Sequence, residues 1–147
     1  MKAWIQRVTE ASVWVEGEEI AQIGRGYVLL LGVRQSDCEE GARKLARRVS
    51  GLRLFEDEKG LTNLSLDDVE GEILVISQFT LYADLAHGRR PSFGAAARGE
   101  MAYGLYELFV KELKGMMGEG RVQTGKFGAH MQVKLVNDGP FSVEVLG

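Results

Sequence analysis

Ile73-Leu-Val-Ile76 is the stretch that most restricts what this chain can become. Four consecutive aliphatic residues, three of them β-branched, mark a strand whose two faces are both covered. The run then turns polar at Ser77, Gln78 and Thr80, with Phe79 and Leu81 between them. Hydroxyl and amide groups at the end of a buried strand must be partnered or open onto a cavity, because burying them bare is costly.

The rest of the chain supplies what such a strand needs around it. Tyr27–Val33 is a second apolar run. Ala3, Ile5, Val8, Val13 and Val15, followed by Ile20–Ile23, read as short strands with a turn at Glu16-Gly17. Leu52–Phe55, Arg121–Phe127 and Met131–Val136 are further strands, and Phe141, Val143 and Val145 a last one. Asn137-Asp-Gly-Pro140 reads as a hairpin turn between these last two, since its residues tolerate turn dihedrals. Ser36-x-x-Glu39 has the form of a capping box, which predicts a helix from Cys38 to about Ser50 burying Ala42, Leu45, Ala46 and Val49. A second helix is expected over Glu100–Met117, burying Met101, Leu105, Leu108, Phe109 and Leu113, with Gly115, Gly118 and Gly120 ending it. At 147 residues, with no repeat or linker, this is one domain of the α+β class: mostly antiparallel, hairpin-joined strands with two helices packed on them.

Several chemistries are excluded. Histidine occurs only at His87 and His130, without metal-ligand spacing, so no metal site is expected. Walker-type loops and Gly-x-Ser-x-Gly elbows are absent, and Gly24-Arg-Gly26 is a turn rather than a dinucleotide fingerprint. A Ser77–His130 triad is conceivable only as a chance pairing. The single cysteine, Cys38, forbids an internal disulfide and fits a reducing cytoplasm. No apolar run is long enough for a membrane helix. Net charge is -3, so contact with nucleic acid must be local. Taken alone, Ser77–Thr80 is most simply a satisfied strand end and Asn137–Pro140 a turn.

Together they carry more. Ser77-Gln-Phe-Thr-Leu81 and Asn137-Asp-Gly-Pro140 resemble the two signature motifs of the D-aminoacyl-tRNA deacylases. Gln6-Arg-Val8, Leu52–Asp57, Gly88-Arg-Arg-Pro-Ser-Phe93 and Thr124–Ala129 match in the same order, so the likeness spans essentially the whole chain. The resemblance implies a barrel-like core and a cofactor-free ester hydrolase that removes D-amino acids, and glycine, from mischarged tRNA. It also implies a homodimer in which a cis Gly139-Pro140 pair reaches the partner's active site as a chiral gate. Ser77, Gln78, Phe79 and Thr80 would line the ester site. Phe127 and Met131 would border the terminal adenosine, and Arg7 would brace the Gly-Pro segment.

Those roles suit the chemistry. An aminoacyl ester is already labile, so orientation of water and main-chain stabilisation of an oxyanion suffice. Either the Thr80 hydroxyl or the tRNA 2′-hydroxyl takes part on this reading. Phe127 offers a stacking face for a single-stranded end. Arg43, Lys44, Arg47 and Arg48 on the first helix, with Arg89 and Arg90, are candidate phosphate contacts. His130 and Phe141-Ser142 depart from the family's usual residues. The competing reading is a non-catalytic binder of RNA ends; a weaker one is a serine or threonine hydrolase of small esters.

Overall fold

In the computed structural model, which describes residues 1–147, Ile73–Ile76 form the centre of β6 (Glu72–Ser77) and are at most 2% exposed. Successive side chains of a strand point to opposite faces. Ile73 and Val75 accordingly join a large core beneath the helices α1 (Glu39–Ser50) and α2 (Gly99–Met117). Leu74 and Ile76 join a smaller one on the other face, with Val8, Val13 and Val28.

β6 lies between β3 (Gly26–Gly32) and β7 (Val122–Thr124), parallel to both. Parallel neighbours need a crossover, and α1 precedes β6 as α2 precedes β7. β3 comes very close to β6 at its start: a Cβ on Gly26 would sit 1.8 Å from the Glu72 carbonyl oxygen, so this position admits only glycine. The remaining large pairings are antiparallel and centre on β1 (Lys2–Val15). One edge of β1 is shared between β3, from Lys2 to Val8, and β2 (Glu18–Ile23), from Ala11 to Val15. The other edge is covered by β8 (Gln132–Leu146). The sheet nearly closes as a barrel, the α+β architecture expected. A two-stranded ribbon of β4 (Phe55–Glu56) and β5 (Thr62–Leu64) lies apart.

Most local expectations hold. Glu16 and Gly17 both take positive φ, 51° and 82°, as a two-residue hairpin turn with the right twist requires. The four apolar residues expected to be buried on α1 are buried. Other details differ. Cys38, not Ser36, is the residue preceding α1, and no side chain caps it; Asp37 bonds the Arg34 amide instead. Leu52–Phe55 gives only the first residue of β4. In α2, Met101 is 41% exposed, while Ala102, Tyr106, Val110 and Met117 join Leu105, Phe109 and Leu113 inside. The Tyr106 hydroxyl donates to the Val75 carbonyl at 3.1 Å, tying α2 to the central strand.

The main departure is at the C-terminal end. Asn137–Pro140 is no hairpin: the chain continues in one direction as β8, and the tetrapeptide is a bulge within it. The pairing with β1 slips there, between Gln6 and Val8 and again between Val8 and Glu10, then resumes from Gln6 and Ser142 to the strand end. An unbroken partner strand on both sides of the bulge keeps the chain from reversing.

Candidate active site

At its polar end β6 stops where the chain tightens into a single 3-10 turn, Phe79–Tyr82. The leading amides of such a turn have no intrahelical acceptor, and those of Phe79 and Thr80 make no bond to a backbone carbonyl, whereas Leu81 and Ala83 bond back to Gln78 and Thr80. Two free N–H groups therefore stand at the end of the buried strand. The Gln78 side-chain amide donates to the Thr80 hydroxyl.

A cavity of about 660 Å³ opens here, between the ends of β3 and β6 and the start of α2. Ser77, Gln78 and Phe79 line one part of it, and Phe127, His130 and Met131 another. Two motifs some fifty residues apart are thus brought into one chamber. Phe127 is held by two tyrosines of α2, edge-on to Tyr103 with ring centroids 5.2 Å apart and tilted against Tyr106 at 5.4 Å. Phe79 is 53% exposed and meets Phe93 edge-on at 5.0 Å. Phe93 and Arg98 complete the wall. Neither was assigned a role from the sequence; Phe93 lies in a quoted motif, while a lone arginine ahead of a helix carries no motif signal.

No carboxylate lines this cavity. Ser77 and His130 share it, but no hydrogen bond joins them and no acid is present to orient the imidazole, so the serine triad is not assembled. A second concavity of about 630 Å³, between β1, β2 and β8, presents Glu10, Glu19 and Glu72 and contains none of the motif residues. Its charge suits an RNA end poorly.

Arg7, Gly139 and Pro140 lie elsewhere in the chain. Asn137 pairs with Val8 and Ser142 with Gln6, so the bulge sits level with Arg7. Arg7 in turn is level with Tyr27, and Tyr27 with Ile73. Ser77 is four residues further along β6, about 13 Å at the rise of a strand. Gly139 and Pro140 are exposed, and their peptide bond is cis.

The bulge is held by a tight set of contacts. Arg7 is 6% exposed; its Nε donates to the Asp138 carbonyl at 3.0 Å and its Nη1 to the Leu54 carbonyl at 2.7 Å. The guanidinium lies 4.5 Å from the centre of the Phe141 ring, a cation–π contact that the departure to phenylalanine makes available. The Asn137 side chain closes the loop, its Oδ1 accepting from the Phe141 amide at 2.6 Å and its Nδ2 donating to Ser142 Oγ at 3.1 Å. Beneath Arg7, Tyr27 stacks on Phe55 at 5.2 Å. Burial pushes its phenol above the ordinary value, against smaller opposing effects of the Leu54 backbone and Arg7, and its hydroxyl completes no hydrogen bond.

The basic face of α1 is largely engaged within the protein. Arg43 bridges Glu39 and Glu112, and Arg48 donates to the Leu146 carbonyl, leaving Lys44 and Arg47 exposed.

Residues 4–145 match the family model described as D-Tyr-tRNA(Tyr) deacylase. The D-aminoacyl-tRNA deacylase of Thermotoga petrophila is 52% identical, the match covering 97% of this chain and 95% of that one. That of Symbiobacterium thermophilum is 50% identical, covering 97% and 93%. Among solved structures, the c-Myc DNA Unwinding Element Binding Protein superposes with a TM-score of 0.94 at 42% identity, over 100% of this chain and 99% of the other. A probable eukaryotic D-amino acid tRNA deacylase, 17% identical, has a TM-score of 0.82 over 98% and 97%, a likeness of fold.

Proposed function

The chain belongs to the D-Tyr-tRNA(Tyr) deacylase family, and from that premise we propose that it hydrolyses the ester of D-aminoacyl-tRNA in the cavity walled by Phe79 and Phe127. The observation that carries this reading is the meeting of Ser77-Gln78-Phe79 with Phe127 and Met131 in one carboxylate-free chamber. The terminal adenosine lies against Phe127, and the ester carbonyl faces the free amide of Phe79, with that of Thr80 next to it at the cavity's edge. Water forms the new C–O bond; the amides hold the negative oxygen, and the bond to the ribose oxygen breaks as that oxygen takes a proton. No cofactor enters the scheme.

Handedness comes from the other end of the barrel. We take Gly139 and Pro140, exposed and set three strands across the sheet from β6 and about 13 Å short of Ser77 along it, to reach the cavity of a second copy, so the working unit is a homodimer. A wall of main chain excludes an L side chain by shape, and glycine, having none, is admitted. We take the reaction to run in the cytoplasm, where tRNA is charged. No helix is long and apolar enough to cross a membrane.

The test is direct. Purified protein should release D-tyrosine from D-tyrosyl-tRNA and glycine from glycyl-tRNA while leaving L-tyrosyl-tRNA intact. Equal rates on both enantiomers would refute the chiral gate; tight binding of the acceptor end without any release would favour the non-catalytic reading.

Thr80 is predicted to be a minor contributor. Its hydroxyl receives a hydrogen bond from an amide that donates, and no base is bonded to it, so it lacks the partner an attacking hydroxyl needs. Thr80→Ala should retain activity to within about 10-fold, against the 10²–10⁴-fold associated with losing general acid–base assistance. Single-turnover rates on D-tyrosyl-tRNA decide this, and a loss above 1000-fold, on the order expected of a nucleophile, would restore the threonine-hydrolase reading.

A further inference from the structure

Arg98 is the one permanently charged side chain lining the cavity. It occupies the position before α2, it is exposed, and none of the ion pairs of the chain involves it. Other arginines are engaged: Arg7 with Leu54 and Asp138, Arg43 with Glu39 and Glu112, Arg121 with Asp67 and two carbonyls. An unengaged surface arginine is ordinary; one that forms the wall of a largely apolar, carboxylate-free chamber is not. Its place relative to the stacking platform is also defined. Tyr103, which holds Phe127, follows Arg98 by five residues, about 7.5 Å along the helix axis, so guanidinium and phenyl ring share one end of α2.

An aminoacylated RNA end brings two opposite charges, an ammonium beside the ester and a phosphodiester on the 5′ side of the last nucleoside. Arg98 repels the first and attracts the second, and its planar fork matches phosphate oxygens. Resting on the activity argued above, we propose that Arg98 binds the phosphodiester on the 5′ side of the terminal adenosine, and thereby sets which way round the acceptor end enters. The phosphate goes to α2, the base to Phe127, and the ester to Ser77–Phe79. Arg98 is on this account a positioning residue, acting on binding and orientation and not on the bonds that change.

Two substrates separate this from a structural role: D-tyrosyl-tRNA, and a D-tyrosyl ester of adenosine that carries no phosphate. For Arg98→Gln, kcat/KM on the tRNA should fall about 10- to 100-fold, the worth of a charge-assisted hydrogen bond or two, mostly through KM. The preference for the phosphate-bearing substrate over the nucleoside ester should shrink by the same factor. Arg98→Lys should recover part of the loss, and the slope of log(kcat/KM) against log salt should flatten by about 0.7 in the glutamine variant. An equal loss on both substrates overturns the assignment, because it places Arg98 at the ester or in the fold. No loss on either overturns it by making the side chain solvated surface. A wild-type protein inert toward both substrates would remove the deacylase reading itself, and the assignment with it.

Discussion

Gly139→Ala should lower D-aminoacyl-tRNA hydrolysis by at least about 100-fold while the sheet stays folded, the scale expected when a reacting group is misplaced by an ångström. Gly139 has φ 147°, a backbone conformation that L residues rarely adopt. A Cβ there would meet the Phe141 amide nitrogen at 2.8 Å and the Phe141 Cβ at 3.1 Å. Phe141 cannot easily give way, since Asn137 holds its amide and the Arg7 guanidinium covers its ring. Relief must come from moving the Gly-Pro segment itself, which is the proposed wall of the partner's pocket. Strain of this kind is worth roughly 1–3 kcal/mol, and the residue is exposed, so the melting temperature should drop by no more than about 12 °C, at roughly 2–4 °C per kcal/mol for a domain near this size. Deacylation kinetics beside a thermal melt separate the two effects. Undiminished activity in a folded variant would show that the bulge is not part of the pocket.

The second large effect is expected at Arg7. Arg7→Met keeps the apolar stem and removes the guanidinium, leaving the Leu54 and Asp138 carbonyls without their donor and the Phe141 ring without its cation. Hydrogen bonds from a charged group are worth about 1.5–3 kcal/mol each, so a loss on the order of 3–5 kcal/mol is expected, or roughly 6–20 °C in melting temperature. Hydrolysis measured well below the new midpoint should still fall at least about 10-fold, because the bulge loses the contact that orients Asp138 beside Gly139. Arg7→Lys restores the charge without the fork and should recover stability better than rate. A methionine variant as stable as the parent would mean that the two carbonyls find water instead.

The strand Ile73–Ile76, both helices and the β1–β2 turn were legible because each is announced within a few residues, by period, by composition or by a glycine with positive φ. Asn137–Pro140 was misread for the same reason. Its residues are turn formers, and a bulge differs from a hairpin only in whether the next strand keeps its old partner. That partner is β1, at the far end of the chain, and no local pattern mentions it. The site shows the same split. Ser77–Phe79, Phe127 and Met131, assigned through family likeness, do meet in one cavity. Thr80 is not among the lining residues, its hydroxyl bonded to the Gln78 amide, and Arg98 carries no motif signal, since its proposed role is purely one of place.

The seam between β1 and β8 also governs when this molecule can come into being. Lys2 lies opposite Leu146 and Trp14 opposite Gln132, so the longest zipper in the barrel joins two segments more than a hundred residues apart in sequence. Contacts between such distant segments form late and slowly, since a long loop must be closed before any of them is gained. On the ribosome, one side of β1 waits bare until residues 132–146 have emerged, an adhesive margin for as long as that takes.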